Sequence, residues 1–517
     1  MTIEQQPGPA SPEDPRKPMG WLLSYQAERD PDALALTFEG RTLTRSALDR
    51  AANRMARALE GRIGQDDVVA LVMPNGLEHT IFAFAIWKLG ASPLPISHKL
   101  PERELRGILE LGGARLVLGP PAGALAGYET IPADFQPDPS LSDAPLPPKV
   151  AKHWKHMTSG GSSGRPKIIV DAAPSVADPS GLPGMLQIRG DDVIFQPGPL
   201  YHNAPFSQVG WALCCGSHVI TAAKFDPLKW LQTVETHRPR WCCLVPTMMN
   251  RIWNVPAEVR ARYDLSSVEV FMHMAAPCPE WLKAAWIDWL GPERIWEIFG
   301  ATEPMGSMTI GGADWLTHRG SVGKPLSEVR ILDENNRDVP QGEVGEIYFR
   351  RRAGMPKTFH YLGAEPRILD DVWATLGDMG RLDEEGYLYI ADRRVDMIIS
   401  GGVNIFPAEI EAALDAHPAI ASCAVVGLPH ADLGRAAHAI VELRPDAAAP
   451  AAAELEAFLA ERLARYKLPY TYEIEQGVVR DDAGKVRRGA LRDEREARLA
   501  RGEIFTPLRG GGVVQGA

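Results

Sequence analysis

Apolar and polar residues alternate with two different periods along the first part of the chain. Leu43–Leu59 carries apolar residues at helical spacing, with Thr42 in the N-cap position, and Glu78–Leu89 shows a second helical run. Between them, Val68–Met73 is a short and almost unbroken apolar run. These patterns predict an amphipathic helix, a buried strand and a further helix, in that order.

The same order of strand and helix recurs over most of the length. Four further apolar runs predict buried strands, namely Ala114–Leu118, His218–Ala222, Trp241–Pro246 and Val268–Met272. Strands that alternate with helices favour parallel sheets whose faces are covered by helices. We therefore predict an α/β fold with a large N-terminal domain of parallel-rich sheets and helices.

The pattern changes from Gly342 onwards. Glu343–Phe349 and Gly386–Ile390 have the composition of antiparallel strands, and the second is introduced by the turn Asp383–Gly386. We expect these strands to form a small β-barrel-like part of the N-terminal domain.

A short charged segment, Asp392–Asp396, lies between apolar flanks. We place a domain boundary there, directly after Arg393. The elements beyond it predict a small, mobile α+β domain, with helices Pro407–His417 and Ala452–Ala464 and strands Ser422–Val426 and Ala437–Leu443.

The length of 517 residues is too great for one hydrophobic core, so at least two domains are expected. We predict a disordered tail over residues 1–18, an N-terminal domain over 19–393, a mobile C-terminal domain over 394–508 and a flexible tail over 509–517. The first segment is rich in Pro, Glu and Gln, and the last is rich in glycine.

Composition and charge narrow the function classes. A formal net charge of -11 argues against a general nucleic-acid binder, which needs a basic face. The apolar segment Ile81–Ile96 contains Lys88 and two prolines, so it predicts no membrane span. The six cysteines show no Cys-x-x-Cys spacing and fit small buried residues of a protein in the reducing cytoplasm.

One stretch has the composition of a phosphate-binding loop: Thr158-Ser159-Gly160-Gly161-Ser162-Ser163-Gly164-Arg165-Pro166-Lys167. Its glycines allow the backbone to approach a ligand closely, and its hydroxyls and Lys167 add donors and charge. No Gly-Lys-Ser/Thr follows the glycines, so it is not a Walker P-loop. A flexible linker is the alternative, but a linker would not end in Arg-Pro-Lys and run straight into an apolar strand.

Other fragments offer chemistry of the same kind. Thr302 can bond a phosphate and Glu303 can hold Mg²⁺, whereas Asp378, between two glycines, can accept both hydroxyls of a ribose. Gly401-Gly402 predicts a tight turn beyond the boundary, and Gly484-Lys485 lies in a charged loop. Taken singly, each fragment is weak, because a lone Gly-Asp pair is usually just a turn.

Their order and spacing resemble the adenylate-forming superfamily of acyl-CoA synthetases, nonribosomal adenylation domains and beetle luciferases. The resemblance runs from about Trp21 to Arg492. Thr158–Lys167 is similar to the phosphate loop of the superfamily, and Phe299–Glu303 is similar to its Tyr-Gly-x-Thr-Glu motif. Pro199–His202 resembles the segment whose histidine lies between the acyl and CoA sites.

The resemblance implies a reaction in two halves. A carboxylic acid attacks ATP to give an acyl-adenylate and pyrophosphate, with Mg²⁺ as cofactor. The small domain then rotates, so that Lys485 leaves and Gly401–Ile405 moves in, and the thiol of coenzyme A takes the acyl group. The implied partners are the acid or its adenylate and CoA, and a homodimer is compatible with the resemblance.

Site roles follow from the same resemblance. The catalytic residues are Lys485, His202, Thr302 and Glu303, and Glu303 also holds the metal. Nucleotide or CoA binding is assigned to Thr158, Ser159, Gly160, Gly161, Ser162, Ser163, Gly164, Lys167, Ala276, Pro277, Glu297, Ile298, Phe299, Gly300, Asp378, Arg393, Gly401 and Gly402. The acid is assigned to Tyr201, His202, Met248, Ala275 and Gly300.

Several positions depart from the superfamily pattern. Gly160 lacks a hydroxyl that is common there, Val395 stands at the usual hinge Asp or Lys, and Asp481 and Asp482 add negative charge near Lys485. A ligase that performs only the thioester step on a preformed acyl-adenylate therefore stays open. Carrier-protein loading, a luciferase-like oxygenase and a non-catalytic adenylate-binding protein are further alternatives, and the retained Lys485 disfavours the last of these.

Two segments bear on the acid. His273–Pro279 and Pro246–Trp253 resemble synthetases that act on bulky polycyclic acids, such as bile acids and the terpenoid acids of antibiotic biosynthesis. Small Ala275 and Ala276 would leave room beside the adenylate, and Met248, with Met249 and Trp253, would line an apolar tunnel. Ordinary core packing is the alternative for each of these side chains.

Overall fold

The computed structural model describes residues 15–159, 167–182, 184–351, 357–445, 447–481 and 484–508. It confirms the predicted mixed α/β fold, with a large N-terminal domain and a small C-terminal domain. Within these residues, no helix combines the length and the apolar character that crossing a membrane would require.

An eight-stranded sheet forms the centre of the N-terminal domain. In spatial order its strands are Met308–Gly311, Ile295–Phe299, Val270–His273, Trp241–Leu244, Val193–Gln196, His218–Thr221, Leu34–Phe38 and Arg41–Thr44. The six inner strands run parallel, and each edge strand is antiparallel to its neighbour. The carboxyl ends of the parallel strands therefore meet at one edge, where ligands of α/β sheets bind.

Both faces of this sheet are buried, which explains its unbroken apolar strands. Ile194 and Val219 pack on the face covered by helix Asn203–Cys214. Phe195 and Ile220 pack on the opposite face with helix Pro227–His237. Each fully buried side chain of this kind stabilises the fold by about 1.5–3 kcal/mol.

A smaller parallel sheet consists of Ser92–Pro95, Val68–Leu71, Leu116–Gly119 and Glu129–Pro132. The two helices predicted on either side of strand Val68–Leu71 are present as Arg45–Leu59 and Leu77–Lys88, and they contact each other. The sequence places the start of helix Arg45–Leu59 at Leu43. Its predicted start and cap were wrong, because Thr42 lies in the edge strand Arg41–Thr44. The N-cap is Thr44, whose hydroxyl accepts a hydrogen bond from the Ala47 N–H at 3.1 Å.

The remaining helices of the N-terminal domain cover these sheets. They are Met19–Arg29, Glu102–Gly112, Pro246–Trp253, Ala257–Arg260, Glu280–Leu290, Gly312–Thr317 and the 3₁₀ turn Pro292–Arg294. Short strand pairs complete the domain: Lys17–Pro18 with Val176–Ala177, and Gly181–Leu182 with Ile188–Arg189. Lys17 and Pro18, assigned to the disordered tail, are thus paired in the structure, while residues 1–14 and 509–517 lie outside the described residues.

An antiparallel sheet takes the place of the predicted barrel-like part. Its strands are Ser321–Gly323, Leu388–Arg393, Trp373–Leu382, Gly345–Arg350 and Val329–Leu332, with Arg367–Leu369 beside Trp373–Leu382. The two strands predicted from sequence are present, but Trp373–Leu382 lies between them and pairs with both.

The C-terminal domain begins a new sheet soon after Arg393. Its strands are Ile398–Ser400, Val403–Ile405, Ile420–His430, Gly434–Leu443, Thr471–Ile474 and Thr506–Pro507. Its helices are Pro407–Asp415, Ala452–Ala460, Arg488–Ala500 and the 3₁₀ turn Arg465–Lys467. The last strand of one sheet thus ends at Arg393 and the first of the next begins at Ile398, and the exact boundary stays a prediction.

Candidate active site

The ends of the predicted phosphate loop are held by an antiparallel pair of strands. Strand His156–Ser159 pairs with Lys167–Asp171, so that Thr158 faces Ile168 and Ser159 faces Lys167. The loop itself, with Gly160, Gly161, Ser162, Ser163 and Gly164, lies outside the described residues. Its phosphate contacts therefore stay a prediction.

The side chain of Lys167 forms an ion pair with Glu303, the predicted metal ligand. The Lys167 Nζ lies 3.4 Å from Glu303 Oε1, and the same oxygen accepts a hydrogen bond from Tyr361 Oη at 2.6 Å. Lys167 Nζ also lies 4.2 Å from the centre of the Tyr361 ring, within cation–π distance. Burial and the neighbouring Glu303 carboxylate raise the pKa of Tyr361, which stays a neutral donor.

Tyr361 was missed by the sequence analysis. It lies in strand Phe359–Leu362, which pairs with Lys167–Asp171 and sets Tyr361 opposite Ile169. The short alternation of this strand is a weak local signal, and nothing in it points to a glutamate 58 residues earlier.

Glu303 fits a cation held mainly by a nucleotide. In the described part of the chain, three or more His, Cys, Asp or Glu side chains are nowhere gathered as a metal site. Mg²⁺ is typically bound by one or two carboxylates together with substrate phosphates. A single carboxylate, 7% exposed and beside Lys167, suits that arrangement. The metal would neutralise phosphate charge there.

Asp378 and Arg393 face each other across two strands of the antiparallel sheet. The Arg393 Nε lies 3.4 Å from Asp378 Oδ1, and the Asp378 side chain is buried whereas Arg393 is half exposed. Burial raises the pKa of Asp378, and the Arg393 guanidinium opposes this shift. A carboxylate acceptor beside a cationic donor matches the two hydroxyls of a ribose.

We expect Asp378→Ala to weaken AMP binding by about 1.5–3 kcal/mol, because hydrogen bonds to a charged acceptor are lost. Isothermal titration calorimetry with AMP measures this change. The matched control is Asp371→Ala, an exposed carboxylate before the same strand. Equal losses in both variants would contradict the ribose assignment.

Lys485 lies in the C-terminal domain, and its charge acts on Glu303 and Arg393. Its ammonium interacts electrostatically with Asp481, Arg393 and Glu303, so the lysine shares a cleft with residues of the N-terminal domain. Crowding by protein atoms lowers the pKa of Lys485, although its surface stays open to solvent. The lowered pKa and the solvent exposure of Lys485 are compatible, because a side chain in an open cleft is close to many protein atoms and is still in contact with water.

The loop that carries Lys485 touches the N-terminal domain directly. Gly484 has a φ of +74°, and a β-carbon added there would lie 2.7 Å from Thr247 Oγ1. Glycine is thus required both by conformation and by space. The loop is closed by Asp481, whose Oδ1 accepts the Lys485 N–H at 2.9 Å.

Two arginines fix the base of this loop. Arg480 lies 2.8 Å from Glu411, and Arg488 binds both oxygens of Glu411 at 2.8 and 2.7 Å. Arg488 also lies 3.1 Å from Asp396, in the turn between the two domains. The position of Lys485 is therefore coupled to the segment that joins the domains.

His202 precedes helix Asn203–Cys214 and faces the same loop. Its Nε2 is buried without a hydrogen-bond partner in the described part of the chain, 3.9 Å from Asp481 Oδ2. Burial, and then the charge of Lys485, lower the pKa of His202 to about 3. The imidazole is neutral at physiological pH, and Tyr201 packs beside it with ring centres 4.6 Å apart.

Glu297 lies in a buried cluster of charged and polar side chains. Its Oε2 lies 2.6 Å from the Lys283 Nζ and 3.8 Å from His273 Nε2, in a buried cluster. Burial would raise the pKa of Glu297, but Lys283 and His273 outweigh it and lower the pKa. The carboxylate thus holds the strand in place, and a direct nucleotide contact of Glu297 stays a prediction.

The other assigned residues lie at the carboxyl ends of neighbouring strands. Ile298 and Phe299 are half buried, Gly300 and Pro277 are exposed, and Thr302 and Ala276 are half buried. Ala275 is exposed, with a φ of +76°. Met248 is 4% exposed and packs in the core with Phe195 and Trp230, so its place in an acyl tunnel stays a prediction.

Gly401 and Gly402 form the turn of a hairpin on the C-terminal domain, with φ of +57° and +82°. The Gly401 N–H donates to the Leu433 carbonyl at 2.9 Å, which anchors the turn on its own domain. Lys485, by contrast, lies in the cleft. The predicted exchange of these two segments stays a prediction.

Comparisons with known proteins show the family of the chain. The profile of the AMP-binding enzyme family matches residues 23–357, and that of the AMP-binding enzyme C-terminal domain matches residues 409–485. A long-chain-fatty-acid–CoA ligase of Mycobacterium tuberculosis is 30% identical over 93% of this chain and 99% of its own length. A fatty acid–[acyl-carrier-protein] ligase of Streptomyces coeruleorubidus is 29% identical over 91% and 95%.

Among solved structures, the o-succinylbenzoate CoA synthetase of Bacillus subtilis in complex with its acyl-adenylate intermediate aligns with a TM-score of 0.76. It is 25% identical and covers 92% of this chain and 98% of its own. The family profile spans well over half of the chain. The chain therefore belongs to the AMP-binding enzymes of the adenylate-forming superfamily and is an enzyme of the acid–thiol ligase type.

Proposed function

We propose that this enzyme carries out both halves of acyl-CoA formation: it makes an acyl-adenylate from a carboxylic acid and ATP, then transfers the acyl group to CoA. The observation that carries the proposal is the position of the loop that carries Lys485: Gly484 packs against Thr247, Asp481 lies 3.9 Å from His202, and the Lys485 charge acts on Glu303 and Arg393. Cations and a metal ligand are thus gathered where a carboxylate and a phosphate must meet.

In the first half, the carboxylate oxygen bonds to the α-phosphorus and pyrophosphate leaves. Lys167 and the cation held by Glu303 would neutralise charge on the phosphates, and Asp378 and Arg393 would hold the ribose. Lys485 would bridge the carboxylate and the α-phosphate, because its ammonium interacts electrostatically with both Glu303 and Arg393. Preorganised charge of this kind is usually the largest contribution to catalysis.

In the second half, the CoA sulfur attacks the acyl carbon and AMP leaves. Lys485 is no longer needed, and the hairpin with Gly401 and Gly402 would replace it after the domain rotates. Neutral His202 would lie beside the acyl group, and the departure of the Lys485 loop would also remove Asp481 from its neighbourhood.

One observation favours a second candidate, a ligase that performs only the thioester step. Asp481 places a carboxylate 3.9 Å from His202 and beside Lys485, where it competes for the cation with an incoming acid. Incubation of the enzyme with acid, ATP, Mg²⁺ and CoA separates the two candidates. The two-step enzyme releases AMP and forms thioester, whereas the alternative forms thioester only from supplied acyl-adenylate.

For the acid, we propose a bulky polycyclic substrate of the terpenoid or steroid kind. The support is the small size of Ala275 and Ala276, which follow strand Val270–His273 at the active edge of the sheet and are exposed and half buried, respectively. Known relatives act on diverse acids, since their names include fatty acid and 2-succinylbenzoate ligases.

Ala276→Trp should reject polycyclic acids while sparing short ones, because an overpacked wall costs about 1–3 kcal/mol or more. The measurement is kcat/KM over a panel of polycyclic acids, fatty acids and acetate, with wild type and variant in parallel. An equal loss for every acid would point to damage at the nucleotide site and refute the pocket assignment. Wild-type preference for fatty acids over all polycyclic acids would refute the substrate class.

A further inference from the structure

The first helix of the C-terminal domain is capped by a side chain of the N-terminal domain. Helix Pro407–Asp415 follows Phe406, whose side chain cannot accept a hydrogen bond, and Pro407 has no N–H to donate. The next N–H, that of Ala408, donates to Asp392 Oδ2 at 2.8 Å. Caps usually come from the residue directly before a helix, so this cap is a specific link between the two domains.

The Asp392 carboxylate is fixed by the N-terminal domain. Asp392 is buried in strand Leu388–Arg393, opposite Met379 of the neighbouring strand. Its second oxygen, Oδ1, accepts the Arg393 N–H at 2.7 Å. Because Arg393 also faces Asp378, the cap is attached to the strand that carries part of the predicted ribose site.

Arg488 of the C-terminal domain balances the charge of this carboxylate. Burial raises the pKa of Asp392 to about 6, and the Arg488 guanidinium opposes this shift. The same guanidinium binds both oxygens of Glu411, one helical turn after Ala408, and lies 3.1 Å from Asp396 in the segment between the domains. The helix cap and the ion pairs of Arg488 thus join the two domains in one buried cluster.

The loop of Lys485 contacts the N-terminal domain beyond this cluster. Gly484 lies against Thr247. The Arg487 Nη1 lies 3.3 Å from Glu104 Oε2. Both contacts belong to the orientation in which the helix cap is closed, so they report whether the loop is docked.

We propose that Asp392 is a positioning residue: its cap on helix Pro407–Asp415 holds the C-terminal domain in the orientation that places Lys485 beside the reacting groups. Rotation of the small domain about the segment between Arg393 and Ile398 moves the helix relative to the strand, so the hydrogen bond has to open before the second half-reaction. The inference rests on the proposed function, because it gives Asp392 a role in adenylation and none in thioester formation.

Asp392→Ala tests this role in the two half-reactions, measured separately above the pKa of Asp392. Adenylation, followed as pyrophosphate release from acid plus ATP, should slow about tenfold or more, because a hydrogen bond to a charged group is lost. Thioester formation from supplied acyl-adenylate and CoA should not slow. The matched control Asp338→Ala removes a carboxylate that pairs with Arg330 inside the N-terminal domain, and it should change neither half-reaction.

A second variant opens the same hydrogen bond from the other side. Ala408→Pro removes the donor and leaves Asp392 in place, and proline is tolerated in the first turn of a helix. It should also slow adenylation and leave thioester formation intact. This variant separates loss of the cap from damage to strand Leu388–Arg393.

Amide hydrogen exchange, followed by mass spectrometry without substrates, reads the orientation directly. In both variants, exchange should become faster around Ala408, Thr247 and Glu104, which contact the other domain, and stay unchanged in strand Trp373–Leu382. If the wild type shows no adenylation, the proposed function fails, and the exchange result alone decides the role of the cap. Equal slowing of both half-reactions, or unchanged exchange around Thr247 and Glu104, would overturn the proposal.

Discussion

Lys485→Ala should strongly slow acid-dependent adenylation and leave thioester formation from supplied acyl-adenylate nearly intact. The ammonium lies in the cleft with Glu303 and Arg393, where it can stabilise charge only while carboxylate and α-phosphate meet. Loss of one such preorganised group lowers kcat by about 10²–10³-fold. The two half-reactions are measured separately, as AMP release from acid plus ATP and as thioester from acyl-adenylate plus CoA.

Lys467→Ala is the matched control, since this lysine of the same domain pairs with Glu409 outside the cleft. It should leave both half-reactions within about twofold of wild type, because half-exposed ion pairs contribute little. If Lys485→Ala slows both half-reactions equally, the assumed exchange of Lys485 for the Gly401 hairpin is wrong for this enzyme.

The second large effect concerns stability. Lys283→Met should lower the free energy of unfolding by about 3–5 kcal/mol, because it leaves the buried Glu297 carboxylate without its partner. Urea denaturation measures the change. The double variant Lys283→Met/Glu297→Gln removes the uncompensated charge and should recover part of the loss.

The same pair has a pH signature. The pKa of Glu297 is lowered from its ordinary value of 4.5 in the folded protein. Its contribution is therefore present above that value and is lost as the pH falls through the lower pKa of the folded state. The difference between wild type and Lys283→Met should shrink at low pH, and a difference that grows on acidification would contradict this account.

Much of the fold follows from local patterns. Trp241–Leu244 and Val68–Leu71 are covered on both faces, so their sequences are nearly unbroken apolar runs that are easily identified. Strand Trp373–Leu382 was not predicted from the sequence, because Gly377, Asp378 and Gly380 interrupt its alternation of apolar and polar residues. The cap of helix Arg45–Leu59 was misplaced for a simpler reason: Thr42 and Thr44 carry the same hydroxyl group, and only the pairing of strand Arg41–Thr44 decides between them.

The candidate site residues that lie in short, continuous sequence motifs could be predicted from the sequence. Four site residues each stand in a short characteristic segment: Lys167, Glu303, Asp378 and Lys485. In the structure, Lys167 and Asp378 both interact electrostatically with Glu303. Lys485 interacts electrostatically with Glu303 and with Arg393. Tyr361 could not be predicted, because its hydrogen bond to Glu303 depends on the pairing of two strands that are far apart in sequence. The ion pair of Glu297 with Lys283 on the preceding helix was not predicted either, because it joins two elements that no local pattern connects, and a nucleotide contact of Glu297 stays a prediction.

Acid-dependent exchange of labelled pyrophosphate into ATP, measured on the wild-type enzyme without CoA, tests the central claim most directly. Exchange requires the acyl-adenylate to form reversibly in the cleft that holds Lys485, Glu303 and Arg393. We predict exchange that depends on both the acid and Mg²⁺. No exchange with any acid, from an enzyme that still converts supplied acyl-adenylate and CoA to thioester, would contradict the two-step account and establish a ligase of the thioester step alone.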